Sequence, residues 1–159
     1  MDVRHINPVI ESVGNIMPQL GFAEVSKKGV TLKDRNIQSP GVVIIIGLIG
    51  DVKGNIIYGL SIDNAKKIAS QMMMGMPVDD FNEMAQSAIS ELVNMLTANV
   101  ATNFSRDNIT VDISTPTLIQ GEFTANASTD KVVCVEMDVD GINIQINISL
   151  FLSIFKSKA

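Results

Sequence analysis

Apolar side chains recur with helical spacing most clearly over residues 80–105. Each residue of an α-helix advances about 100° around the axis. With Ser87 as origin, Ala85, Ile89, Leu92, Val93, Leu96 and Val100 gather on the far side and predict a buried stripe. Glu91 and Asn94 fall within about 40° of Ser87, with Glu83 and Ala98 on the same side, and predict an outward polar face. Asp79 or Asp80 is the expected cap of this helix, and Glu83 in its first turn suits the helix dipole.

Two shorter helical patterns precede it. Residues 3–20 place Ile6, Val9, Ile10, Val13 and Met17 at helical spacing, with Pro8 expected in the first turn and Pro18 and Gly21 closing the segment. Residues 64–74 follow a cap at Ser61 or Asp63 and stop at Gly75 and Pro77. The cluster Met72, Met73, Met74 and Met76 at its end is read mainly as core filling, with an adaptable binding surface as the second reading.

Elsewhere the pattern is that of strands. Residues 41–50 form a nearly continuous β-branched run, which suggests a strand covered on both faces. The turn at residues 51–54 and the return at residues 55–62 predict an antiparallel hairpin. Residues 22–32 read as a strand, broken or not at Gly29, and polar residues 33–40 as a loop. Residues 109–114 alternate as a half-buried strand should. Residues 116–130 read as a long polar connection with a short strand at residues 117–119. Residues 131–138, the Asp140-Gly141 turn and the strict alternation of residues 142–150 predict a second hairpin, one face isoleucine and the other amide and hydroxyl. No strand–helix–strand alternation and no glycine-rich phosphate loop is present. The pattern predicts an α+β fold with a mainly antiparallel sheet and packed helices, a single domain over residues 1–159.

Composition narrows the chemistry. A net charge of −5 leaves no basic patch for nucleic acid or an anionic membrane. The longest apolar run, residues 41–50, is too short to span a bilayer, and the N-terminus lacks the apolar segment of a secretory signal, so a cytoplasmic location is expected. The single cysteine, Cys134, excludes an internal disulfide and reads as a small core residue. The single histidine, His5, excludes a multi-histidine metal site, makes a Ser/His triad a poor fit, and is expected at the surface.

Glu91 and Asn94, three residues apart on a helix, are surface neighbours. A carboxylate accepts hydrogen bonds and pairs with a cation, whereas a carboxamide donates and accepts at once and can orient a water molecule. Spacing alone leaves such a pair as an ordinary solvated face. The surrounding residues add a resemblance. Ser87, Glu91, Asn94 and the later Pro116 match the signature of the CheC/CheX/FliY family of chemotaxis phosphatases: Asp or Ser, three residues, Glu, two residues, Asn, and a proline some twenty residues on. The run Ala65-Lys-Lys-Ile-Ala-Ser-Gln-Met-Met-Met-Gly-Met-Pro resembles the family's preceding helix, and Ile6-Asn-Pro-Val-Ile-Glu-Ser its first helix in the CheX branch. Ala98 stands where the family often has glycine and is still small enough for close approach. A second copy of the signature, as in CheC, is not found: Glu11 and Asn15 have one residue too many between them. The chain is therefore most similar to CheX, with one site.

The resemblance implies a phosphatase acting on a phosphorylated CheY-type receiver. Asn94 would orient the attacking water and Glu91 would contact a receiver lysine, with Ser87 and Ala98 leaving room for the partner. It implies no cofactor or metal of the chain's own, Mg²⁺ in the partner receiver, and a homodimer. The competing reading is a non-catalytic module that binds a receiver or a flagellar-switch component. A small-molecule enzyme using Glu91 as base would need an enclosed pocket.

Overall fold

The computed structural model describes residues 3–153. Those residues form three α-helices, one 3₁₀ turn and a seven-stranded antiparallel sheet. In chain order these are α1 (Val3–Ile16), the 3₁₀ turn (Met17–Leu20), β1 (Val25–Gln38), β2 (Val42–Gly50), β3 (Val52–Leu60), α2 (Ile62–Met72), α3 (Glu83–Arg106), β4 (Val111–Ile113), β5 (Thr117–Gln120), β6 (Thr124–Val139) and β7 (Ile142–Leu152). The sheet runs β1-β6-β7-β3-β2-β4, and β5 shares the β2 edge with β4. The expected α+β architecture and both hairpins are present.

The helices all pack on one face of the sheet, and alternation explains why. Val42, Ile44, Ile46 and Leu48 of β2, Ile56 and Tyr58 of β3, and the even-numbered residues from Ile142 to Leu150 of β7 point to that face. They meet Val9 and Val13 of α1, Ile68 of α2, and the Ala85, Ile89, Leu92, Leu96 and Val100 stripe of α3. Each fully buried branched aliphatic side chain contributes about 2 kcal/mol of transfer free energy. Tyr58 is buried against α3, its hydroxyl 3.1 Å from Thr97 Oγ1, and Thr97 in turn donates to the Val93 carbonyl at 2.8 Å.

The odd-numbered residues face the other side, which is also covered. Residues 133–139 of β6 pair with β7, while its first half leaves β7 and stays paired with β1. That first half lies across the outer face of the sheet, where Ile37, Ala125, Ala127 and Val132 pack with Val43 and Ile57. The amide-and-hydroxyl side of β7 is accordingly buried at Asn147 and Ser149; the Thr129 backbone N–H donates to Ser149 Oγ at 2.8 Å, and Asn147 Nδ2 donates to the Ile57 carbonyl at 3.0 Å. The two-sided burial expected for residues 41–50 holds at Val43 and in part at Ile45, whereas Ile49, beyond this cover, is exposed.

Several sequence expectations are corrected. Residues 33–40 are not a loop: β1 runs unbroken to Gln38, with irregularities near Gly29 and Arg35 that bend it. Residues 116–130 are mostly strand, because β5 is followed by the first half of β6. Pro8 lies inside α1 rather than in its first turn. His5 is buried, its ring edge-on to Phe104 at 6.2 Å between centroids. The methionine cluster divides: Met72 and Met73 pack against the core, whereas Met74 and Met76 are exposed. Cys134 is buried as expected, and burial pushes its thiol above the ordinary value while Lys33 pulls the other way. Such a thiol is a poor nucleophile.

Candidate functional site

The outward face of α3 is set by how the helix begins and what it packs against. Asn82, not Asp79 or Asp80, caps it: its side-chain oxygen accepts from the Ala85 N–H at 3.0 Å. Asp80 instead gives its carbonyl to the Asn82 N–H, which forms the turn into the helix. Glu83 lies in the first turn and Arg106 in the last, each at the dipole end that suits its charge. With Ile89, Leu92 and Leu96 locked on the sheet, Glu91 is exposed and Asn94 half-buried on the opposite side.

The element opposite that face is the broken edge of the sheet. β4 pairs with the end of β2 and β5 with its start. Between them Ser114 closes on Gly47, exchanging its N–H for the Gly47 carbonyl at 2.9 Å and accepting the Gly47 N–H on Oγ at 2.8 Å. Thr115 and Pro116 leave the ladder there, and a proline, lacking an N–H, fits only such an edge or interruption. An open groove of about 540 Å³ results. One wall is α3, through Glu83, Gln86, Ser87, Ser90, Glu91 and Asn94; the other is Thr115, Pro116 and Leu118. The carboxylate, the carboxamide, Ser87 and Pro116, more than twenty residues away in sequence, thus share one groove. Ala98 is exposed on the same helix face but lies outside the groove lining.

The groove's polarity is one-signed. Among the described residues its charged lining is Glu83 and Glu91, with no lysine or arginine. Among the described residues neither Glu91 nor Asn94 spends its side chain on an internal hydrogen bond or ion pair. Gln86 is committed, its Nε2 donating to the Phe81 carbonyl at 3.0 Å, and so steadies the start of the helix. No cluster of three or more His, Cys, Asp or Glu suited to a metal ion occurs among the described residues, and no described helix is long and apolar enough to cross a membrane.

The family model described as "Chemotaxis phosphatase CheX" matches residues 42–138. The chain belongs to the CheX family. A relative, the CheY-P phosphatase CheX of Thermotoga maritima, is 37% identical over 123 residues, covering 76% of this chain and 78% of that protein. The fold is shared with a CheC-like superfamily protein from Shewanella sp. PV-4, at TM-score 0.83 and 22% identity over 95% of this chain and 99% of that one. It is shared too with the CheX–CheY–BeF₃–Mg²⁺ complex from Borrelia burgdorferi, at TM-score 0.72 and 23% identity over 92% of this chain and 97% of that one.

For a CheX-family chain the sequence names one wall of the groove well and the other barely. Gln86 and Ser90 sit at the margins of the predicted face, where helical spacing does not single them out. Thr115 and Leu118 bracket Pro116, and nothing in their own spacing brings them to α3.

Proposed function

We propose that this chain hydrolyses the aspartyl phosphate of a phosphorylated CheY-type receiver, with Asn94 and Glu91 completing an active site that the receiver mostly supplies. Support comes from membership in the CheX family and from a 37%-identical relative named as a CheY-P phosphatase. The observation that carries the residue assignment is that Glu91 and Asn94 lie together on the rim of an open groove with no internal partners.

An aspartyl phosphate is an activated acyl phosphate. Water attacks phosphorus in line, the bond from phosphorus to the carboxyl oxygen breaks, and inorganic phosphate and the free aspartate result. Positioning and charge stabilisation dominate such a transfer, so the catalyst needs no nucleophile of its own. The Asn94 carboxamide accepts a hydrogen bond from the water and holds its lone pair toward phosphorus. The Glu91 carboxylate pairs with a receiver lysine and sets the docking register. Mg²⁺ belongs to the receiver in this reading, and the open groove admits a second protein where a closed pocket would admit only a small molecule. The reaction takes place where the receiver is, in the cytoplasm.

The same reading makes the active species a homodimer. Among the described residues β1 is a long edge strand paired on one side only, by β6, and it exposes Leu32 (76%) and Val30 (48%). An open edge of that length, exposing Val30 and Leu32, is a template on which a second copy can pair. Sedimentation equilibrium tests this, and a monomer at micromolar concentration rejects it.

The decisive experiment measures phosphate release from a phosphorylated receiver with the wild type and with Asn94→Ala. Near-complete loss of acceleration with retained receiver binding is expected. An unchanged rate in Asn94→Ala removes the assignment, and binding without turnover by the wild type returns the chain to the class of non-catalytic receiver-binding modules.

A further inference from the structure

The connection from α2 to α3 holds a second hollow that the hydrolytic chemistry leaves unused. After α2 the chain reverses sharply through Met74 (φ 59°) and Gly75 (φ 85°). The reversal is pinned: the Gly75 N–H donates to the Ser70 carbonyl at 2.8 Å, and Ser70 Oγ donates to the Met76 carbonyl at 2.8 Å. Beyond it opens a hollow of about 250 Å³. Its apolar lining includes Met73, Met76 and Met84, and its polar lining Asp79, Asp80 and Asn82. Met76 is 55% and Met84 62% exposed.

Three observations indicate what fits there. Unbranched thioethers held at the surface form an adaptable apolar patch, and such patches mark contact surfaces. Among the described residues the charged lining is acidic, with no lysine or arginine, as in the groove. Both depressions border the start of α3, where Asn82 and Met84 of the hollow stand on either side of Glu83 of the groove in sequence. Asp79 and Asp80 in the hollow and Glu83 and Glu91 in the groove thus put carboxylates in both depressions.

We infer that the methionine hollow is a second contact for the same receiver, taking an apolar side chain flanked by lysine or arginine and setting affinity and receiver choice without entering the hydrolytic step. The inference rests on the proposed activity, because a protein seated with its aspartyl phosphate at Glu91 and Asn94 overhangs the start of α3. Met76 and Met84 supply the apolar anchor, and Asp79 and Asp80 the charge that orients it.

The test uses the full chain and a CheY-type receiver from the same genome. The double variant Met76→Ser/Met84→Ser changes two exposed side chains, and an unchanged melting temperature confirms that it folds. KM for the phosphorylated receiver and Kd for the beryllofluoride-loaded receiver are expected to rise about tenfold with kcat unchanged. Asp79→Lys/Asp80→Lys is expected to weaken binding and flatten its salt dependence. Met74→Ser, at a residue 98% exposed but outside the hollow, is expected to change nothing. Unchanged KM and Kd in the methionine double variant overturn the inference, as does a fall in kcat alone. So does a drop in sedimenting mass, which would assign the hollow to a second copy of this chain. Kd is read without turnover, so a wild type that binds but releases no phosphate defeats the hydrolytic proposal while leaving this one to be decided by the variants.

Discussion

α1 and α3 lie against each other on the same face of the sheet, and each carries a glutamate followed within one turn by an asparagine. On α3 the pair is Glu91 and Asn94, three residues apart; on α1 it is Glu11 and Asn15, four apart. Both spacings make helix neighbours, so spacing by itself does not separate a site from a solvated surface. What separates them is the surroundings. Asn15 donates its Nδ2 to Asn99 Oδ1 of α3 at 3.1 Å, so its carboxamide is engaged in joining the two helices. Asn103 reinforces the same seam, donating to Asn99 Oδ1 at 3.2 Å and to the Pro8 carbonyl at 3.0 Å. Asn94 has no such engagement and faces Pro116 across a groove to which α1 contributes nothing. The amide proposed to act is the one left unspent beside a second wall.

The comparison breaks most cleanly at Asn94. Asn94→Ala is expected to lower receiver dephosphorylation by about a thousandfold, roughly 4 kcal/mol of barrier, with receiver affinity largely kept. Phosphate release under single-turnover conditions measures it. Glu91→Ala is expected to cost about 2 kcal/mol, divided between a weaker Kd and a slower rate, since a docking carboxylate contributes to both. Titration calorimetry beside the rate assay separates the two.

The buried side of α3 offers a contrast of similar size through pH. Burial pushes the Tyr58 hydroxyl up to about 12 from its ordinary 10.0, against a smaller opposing effect of its hydrogen bond to Thr97. The folded state therefore holds its proton more tightly than the unfolded chain. This contribution is complete below pH 10 and fades as pH rises toward 12, a loss of about 2 kcal/mol from this group. Tyr58→Phe should flatten that part of the curve in urea titrations at pH 9, 10 and 11. The smallest effect is expected at Asn15→Ala: about 0.5 kcal/mol of stability from the lost hydrogen bond to Asn99, and no change in dephosphorylation. A large loss of turnover in that variant would mean that α1 carries a second working site.

These contrasts also show what a single sequence conveys. α3, the hairpin of β2 and β3 and the hairpin of β6 and β7 were legible because their apolar residues repeat at the period of the element. β1 past Leu32 is not, since an edge strand exposed through Asp34, Arg35 and Asn36 has no apolar alternation to show; its pairing with β6 supplies what local pattern lacks. The first half of β6 did carry a signal, small but regular, in buried Ala125 and Ala127 between exposed neighbours. His5 was misplaced because its burial depends on Phe104, almost a hundred residues later. Glu91 and Asn94 could be placed on one face from spacing, but their role came from resemblance. The wall that faces them depends on a break in an edge strand that no local periodicity encodes.

That break has a bearing on solubility. An uninterrupted outer strand beside the groove would present a row of free amide and carbonyl groups, an invitation for another chain to zip on. By pulling Thr115 and Pro116 out of line between two very short pairing segments, the molecule denies that margin any continuous template. An open, uncovered groove can therefore border this edge without the edge seeding fibrils.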